Sequence, residues 1–409
     1  MVIYLYPEGV YVFALYQKER CVETTGIKRK LAIPAVWETE HAVAAHFAAG
    51  KDGEETVDAS ESRIADPAPH SLLVGALPFD RQAAPLLIEP ETASWRHGVE
   101  ALALSAQAPA RLPARPVRLT GEPDGPAYAR IVAEALRRLD RREGAVLRKV
   151  VLARSLHIVM DRPVDPLAIA ARLMRDNSVT TFLMDLEEAT GLPGHKMVGA
   201  TPELLVARKG SQVLSHPLAG SAPRSSDPAA DRAAADGLLH SEKDQREHSL
   251  VVEAIADMLA PYCSALTMPE GTTLRSTASM WHLGTRIEGR LKNGAMPSAA
   301  GLAALLHPTP AVGGMPRQAA LDCIRELEPQ DRGFYAGAVG WTDRAGDGEW
   351  YVSLRCAELR DKQLTLHAGA GIVAGSDPQS EVAETWAKFR AILQGLGIEA
   401  DDSLMEFAA

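Results

Sequence analysis

Cysteine is scarce in this 409-residue chain. The four present, Cys21, Cys263, Cys323 and Cys356, lie far apart and form no C-x-x-C pair. That excludes a disulfide framework and a thiolate zinc site and fits reduced thiols in a cytoplasm. No run reaches 18 uninterrupted apolar residues, so no membrane-spanning helix is expected. Met1–Tyr16 is apolar in patches but lacks a basic start and carries Glu8, so it reads as a strand pair rather than a signal peptide. Basic charge is in deficit, with 43 Lys and Arg against 53 Asp and Glu and a net charge of -10. Such a balance argues against a chain that coats nucleic acid or an anionic membrane, while a local basic pocket could still take an anionic small substrate. Aromatic residues make up only 5%, and no aromatic–basic stripe for single-stranded nucleic acid is found. P-loop, H-E-x-x-H and G-x-S-x-G motifs are missing too.

What remains is the balance of a globular protein, 46% hydrophobic and 23% charged. The length allows two or three domains or one large body, and a core of ample size without staples. Helical spacing predicts helices over Ala127–Arg142, Ser241–Leu259, Ala299–Leu305, Arg317–Leu327 and Ser380–Gly395. Strands are expected at Ser71–Leu77, Pro85–Ile88, Val146–Met160, Thr180–Leu186, Met197–Val206, Gln212–Pro217, Phe334–Thr342, Trp350–Leu359 and Gln363–His367. Several adjoin through short turns, which favours antiparallel sheets with helices outside. Pro223–Arg232 reads as the most mobile loop, and residues 40–65 carry no readable signal.

Five features could carry chemistry. Asp244 and Glu247 on one helix, and Glu381 and Glu384 on another, are i,i+3 pairs that could offer oxygen ligands to a hard divalent cation; the alternative is solvated surface charge, with Glu384 and Lys388 an ordinary i,i+4 pair. Lys149 stands in an apolar strand, where lost hydration would lower its pKa and make it a base, unless it is an edge-strand charge against aggregation. Glu203, beside Pro202, Leu204 and Leu205, could hold its proton near neutral pH and act as an acid, or be an exposed turn carboxylate. Gly369–Ala374 matches the letters of the dinucleotide fingerprint, but Gly375-Ser376-Asp377-Pro378 stops a helix from following at once; the glycines could instead admit an anion to the backbone or form a tight bend. Arg355, in an apolar strand, demands an anionic partner if buried, while His282 and His307 are weak signals alone.

Taken in order, the segments KVVLAR (149–154), GATPELL (199–205), PLAGS (217–221), SEKDQREH (241–248), HLGT (282–285), LHPTPAV (306–312), YAGAVGW (335–341), LRCA (354–357), HAGAGIV (367–373) and EVAETWAKFR (381–390) resemble the chorismate-utilising enzymes, and within them the siderophore-type isochorismate synthases. The resemblance spans residues 127–396 and implies an α+β fold of two large antiparallel β-sheets packed as a sandwich with outer helices. Residues 1–409 would form a single chorismate-binding body, with 1–120 a divergent N-terminal part. It further implies Mg²⁺ held by Glu247 and Glu384 and supported by Asp244 and Glu381, Lys149 as the base that activates water, and Glu203 as the acid for the departing hydroxyl. Arg355, Tyr335, Gly369 and Gly371 would hold the enolpyruvyl carboxylate of chorismate, Lys388 and the Ala219-Gly220-Ser221 turn the ring carboxylate, and His282 would lie near the ring.

Within that resemblance, Lys149 stands where anthranilate synthases have glutamine, which favours water as the nucleophile, and Ala219 stands where aminodeoxychorismate synthases have lysine, which argues against that activity. Salicylate synthases, which go on to eliminate pyruvate, and menaquinone-pathway isochorismate synthases remain as alternatives, as does a catalytically silent binder. Pro223 after Ser221-Ala222 and the Gly313-Gly314-Met315-Pro316 run depart from the siderophore-type pattern. A cytoplasmic monomer is expected, with a downstream isochorismatase or lyase as the possible partner.

Overall fold

The computed structural model describes residues 11–49, 66–98, 114–139, 147–294 and 296–398. In chain order its strands are β1 (Tyr11–Tyr16), β2 (Arg20–Lys30), β3 (Leu72–Leu77), β4 (Leu86–His97), β5 (Pro116–Glu122), β6 (Lys149–Met160), β7 (Thr180–Asp185), β8 (Lys196–Thr201), β9 (Leu204–Lys209), β10 (Gln212–His216), β11 (Leu218–Pro223), β12 (Cys263–Thr267), β13 (Thr272–Ser276), β14 (Met280–Thr285), β15 (Ile287–Leu291), β16 (Gly314–Met315), β17 (Ala338–Asp343), β18 (Gly348–Val352), β19 (Cys356–Arg360) and β20 (Gln363–Ile372). The helices are α1 (Thr39–Ala49), α2 (Gly125–Leu139), α3 (Pro166–Leu173), α4 (Glu187–Thr190), α5 (Pro228–His240), α6 (Glu242–Leu259), α7 (Ala299–Leu306), α8 (Arg317–Leu327) and α9 (Pro378–Leu396).

Every strand pairing is antiparallel. One continuous ladder runs β5-β6-β20-β19-β8-β7-β1-β2-β4-β3-β17-β18-β9-β10-β15-β12, with β16 added at the start of β6. The hairpin β1–β2 thus joins two halves, one ending in β7 and the other beginning at β4. A separate three-stranded sheet, β11-β14-β13, lies beside them. Two buried apolar clusters fill the body, one with Phe13, Phe182 and Trp350, the other with Ile169, Leu366 and Phe389. This is the expected antiparallel sheet body with helices, and no helix among the described residues is long and apolar enough to cross a membrane.

Local chemistry sets the ends of the helices that matter here. Ser241 caps α6 by accepting from the Asp244 N–H, so the acidic first turn sits on the positive end of the helix. Asp377 caps α9 in the same way, Pro378 occupies its first turn, and Gly397 closes it at φ 71°.

Five expectations are corrected. Met197–Val206 is not one strand, because Pro202 and Glu203 separate β8 from β9. Trp350–Leu359 breaks at Ser353–Arg355, where Arg355 adopts φ 48°. Ala219-Gly220-Ser221 is not a turn but lies in β11, with the register slipping at Gly220, φ 78°, as in a glycine bulge. Gly369 and Gly371 lie inside β20, paired with Ala153 and Val151, rather than after a strand. Pro223–Arg232 is not a continuous loop: Asp227 caps α5 from Pro228, and Arg224 donates to Asp231 at 2.8 Å. Of the N-terminal strand pair, Tyr11–Tyr16 forms a strand and pairs with β2, while residues 1–10 lie outside the described residues, as do the ends of two other expected elements at 140–142 and 146.

Candidate active site

A cavity of about 130 Å³ opens between the sheets and helices α6 and α9. Glu203, Ala219, Gly220, Ser221, Asp244, Glu247, His282, Tyr335, Arg355, Gly369, Gly371, Glu384 and Lys388 line it. Lys149 and Glu381 do not. They stand a layer behind, each fully buried and each tied to a neighbour of the cavity wall.

Both strand breaks serve this cavity. The break before β9 presents Glu203, which is only 3% exposed. Burial pushes its carboxyl up to about 8, against weaker opposing pulls from the Leu218 backbone and Lys149. It therefore holds a proton at neutral pH, as an acid must. The break at Ser353–Arg355 puts a non-glycine residue in the left-handed region, a strain of about 1–3 kcal/mol that clusters at working sites. Ala336, the next non-glycine residue upstream with positive φ, lines the same cavity.

Among the described residues, Arg355 finds no carboxylate at hydrogen-bond distance. It donates to Thr277 Oγ1 at 3.0 Å and to His282 Nε2, both neutral acceptors. Burial lowers its pKa to about 10, with Asp176 giving only a distant counterpull. Burial, then the Arg355 charge, holds His282 well below its ordinary value, so the imidazole is neutral and can accept. A guanidinium served only by neutral groups keeps its charge for an incoming anion.

Asp244, Glu247 and Glu384 line the one cavity with Glu381 behind it, and lysines already hold Glu247, Glu381 and Glu384. Lys149 Nζ lies 2.9 Å from Glu247 Oε1, off the angle of a good hydrogen bond. Lys388 Nζ donates to Glu384 Oε1 at 2.7 Å and to the Gly369 carbonyl at 2.7 Å. Lys243 Nζ donates to Glu381 Oε1 at 2.9 Å. Lys149 is thus set against a carboxylate, not a wholly apolar surround, and the edge-strand reading fails because it is completely buried. Burial, then Glu384, raises the Glu381 carboxyl, and burial, with Glu247 adding to it, raises Asp244. At Glu384 the upward push of desolvation is outweighed by Lys388, Lys243 and Lys149, and its carboxyl is lowered.

Two glycines make room for this set. A Cβ on Gly371 would fall 2.2 Å from Glu247 Oε1, and one on Gly220 would fall 3.0 Å from Asp244 Cβ. Glu381 Oε2 is buried without a well-formed hydrogen bond. Oxygen donors of this kind fit a hard cation such as Mg²⁺. Among the described residues, however, no three acidic, histidine or cysteine side chains already converge at ligand spacing.

Among the lining residues that sequence reasoning did not name are Arg332, His367 and Val151. Arg332 is 4% exposed and pairs with Glu328. His367 stacks on Tyr335, ring centroids 4.8 Å apart, and burial lowers its pKa to about 4. Val151 follows Lys149 by two residues on the same strand. His367 and Val151 sit inside quoted motifs, so only their role was hidden. Arg332 had no signal, since a charged residue in a polar Pro-Gln-Asp-Arg-Gly stretch reads as solvated loop.

The family model described as chorismate binding enzyme matches residues 84–397. The chain is 41% identical over 359 residues to the isochorismate synthase DhbC of Bacillus subtilis, covering 85% of this chain and 88% of that one. It is 46% identical over 336 residues to a Mycobacterium tuberculosis protein that carries the name MenF, covering 80% and 87%. The crystal structure of DhbC from Bacillus anthracis, described as a candidate 2,3-dihydroxybenzoate-specific isochorismate synthase, superposes with a TM-score of 0.83 at 36% identity, over 95% of this chain and 97% of that one. With a family model matched over most of its length and a relative 41% identical across 85% of it, this chain belongs to the chorismate-binding enzyme family and groups there with the isochorismate synthases.

Proposed function

We propose that this chain isomerises chorismate to isochorismate, with Lys149 as base and Glu203 as acid. The observation that carries the reading is Glu203: a carboxyl pushed up to about 8 in the wall of a cavity that also offers Arg355 to an anion. Lys149, buried behind the wall, reaches the water that adds at C2 once Glu247 moves aside and takes a proton from it; the ring double bonds shift, and Glu203 gives a proton to the C4 hydroxyl, which leaves as water. One water enters and one leaves, so the product is an isomer. Each proton transfer contributes on the order of 10²–10⁴-fold.

Arg355 holds the enolpyruvyl carboxylate, beside Tyr335, Gly369 and Gly371, with His282 near the ring. Lys388 and the Ala219–Ser221 bulge face the ring carboxylate. Glu247 and Glu384 would hold Mg²⁺, with Asp244 and Glu381 behind them, and the ion would neutralise the ring carboxylate against these acids. Acting as a base requires Lys149 to give up its charged contact with Glu247. Both ends of that contact are called on, Glu247 for the cation and Lys149 for the water.

We place the product in catecholate siderophore synthesis, on the likeness of the Ala219-Gly220-Ser221 and His307–Val312 segments and of the DhbC relatives. The MenF-named relative supports a menaquinone branch as the second reading. Residues 1–409 are read as one body, a reading favoured by the pairing of β1 with β7 and of β3 with β17. Four free, buried cysteines support a cytoplasmic setting, and a monomer is proposed.

Incubation of chorismate with Mg²⁺ and separation of the products tests the reading. Isochorismate supports it. Salicylate with pyruvate would assign a salicylate synthase, and no turnover would leave a silent binder.

A further inference from the structure

Strand β6 carries Lys149 at its first position, and its outer edge is covered in two pieces. β16 pairs with Lys149 and Val150, and β5 pairs with Ser155 through Met160. Among the described residues, no strand pairs with 151–154 on that side. Val151 gives its N–H to the Gly313 carbonyl, so the backbone groups of Val151 and, two residues on, of Ala153 face this uncovered edge.

Two side chains fill the gap. Glu328 Oε1 accepts the Ala153 N–H at 2.7 Å. Arg332 Nη2 donates to the Val151 carbonyl at 2.7 Å, and its Nη1 donates to the Val312 carbonyl at 2.8 Å. The two are bound to each other, Arg332 Nε to Glu328 Oε2 at 2.8 Å, and are 3% and 5% exposed at their side chains. Phe79 closes the outer face, with the guanidinium 4.2 Å from its ring centroid. Nothing in the proposed chemistry uses either residue.

We propose that Glu328 and Arg332 are positioning residues. They act as a two-residue substitute for a missing strand, fixing the register of the segment that begins with Lys149 and fastening the Ala311–Val312 cavity wall to it. Arg332 lines the cavity and invites a different role, that of a ligand to a substrate carboxylate. Its donors argue against that, because they are committed to Glu328, Val151 and Val312, whereas those of Arg355 meet only neutral acceptors. The proposal rests on the assignment of Lys149 as the base.

The test uses the full-length enzyme and four variants: Arg332→Met, Arg332→Lys, Glu328→Gln and the double variant Glu328→Gln/Arg332→Met. Each is read by steady-state kinetics, by thermal unfolding and by hydrogen exchange of peptides spanning residues 149–155. Single variants should lower kcat about tenfold or more with KM for chorismate within about threefold, the signature of lost alignment rather than lost binding. Exchange at 149–155 should quicken while peptides of β1 and β17 stay protected. In the double variant no charge is left unpaired, so its melting temperature should recover toward wild type while kcat stays low. Arg332→Lys, which keeps the charge but loses the fork, should not restore kcat.

A tenfold rise in KM with unchanged kcat in Arg332→Met would make Arg332 a substrate ligand and overturn the proposal. Recovery of kcat together with stability in the double variant would make the pair merely structural. Wild-type kcat in Lys149→Ala would instead sink the assignment of the base, leaving the exchange result at 149–155 to judge the brace by itself.

Discussion

Replacing Glu203 with glutamine should make this protein more stable, and by an amount that depends on pH. In the folded chain burial holds the carboxyl at about 8. In the unfolded chain it titrates at about 4.3. Between those values the unfolded state has released a proton that the folded state keeps, so stability falls as pH rises from about 4.3 to about 8. Each pH unit costs about 1.4 kcal/mol. From pH 4.5 to pH 7.5 the native chain should therefore lose about 3.5 kcal/mol through this one group. Glutamine has the same shape and does not titrate. All other groups cancel in the comparison, so the stability gap between Glu203→Gln and wild type should widen by that amount over this range. An unfolding entropy of roughly 2 cal/mol/K per residue across the chain converts it into a relative rise of about 3–4 °C in Tm. Calorimetry of both proteins at pH 4.5, 6.0 and 7.5 reads it directly. A Tm difference that stays flat across the range would show that Glu203 ionises normally when folded, and the proposed acid would fall with it. Wild-type activity should also fade above about pH 8, as the acid form is lost.

Lys149→Ala should abolish isochorismate formation while leaving the far-ultraviolet circular dichroism unchanged; wild-type turnover would remove the base assignment. Gly371→Ala would place a methyl 2.2 Å from Glu247 Oε1, so the carboxylate must swing away: Mg²⁺ affinity by calorimetric titration should drop about tenfold or more, and unchanged affinity would move the cation elsewhere. EDTA should stop turnover and excess Mg²⁺ should restore it; full activity in the chelator would refute the metal. Arg355→Gln should raise KM for chorismate by about two orders of magnitude, as expected for an unpaired charged hydrogen bond of roughly 3 kcal/mol, with the CD spectrum as the check on folding.

The motifs made the cavity legible before any coordinates, because the chemistry is concentrated in short runs whose residue types are unusual for their surroundings. A lysine in Lys149–Ala153 and an arginine among Leu354, Cys356 and Ala357 stand out against apolar neighbours. What the pattern hid was backbone geometry. Alternation along Trp350–Leu359 and Met197–Val206 reads as two unbroken strands, yet each is interrupted where a cavity-lining residue is presented, at Arg355 and Glu203. Hydrophobic period reports which face is buried, not where a strand stops, and local strain supported by tertiary contacts overrides it. Glu328 and Arg332 were hidden for a related reason: their hydrogen bonds go to backbone atoms 175 and 181 residues away, and backbone leaves no trace in side-chain spacing.

The pairing of β6 with β20 carries a consequence for synthesis. Val150 meets Ile372 and Val159 meets Gln363, partners more than two hundred positions apart along the polypeptide. At ribosomal speeds of 5–20 residues per second, the earlier strand waits roughly 10–40 s for its mate to emerge. During that interval an apolar ribbon with open amides is the kind of surface that chaperones shelter and aggregates recruit. Production of active enzyme should thus respond to translation rate and chaperone supply more than to the durability of the finished molecule.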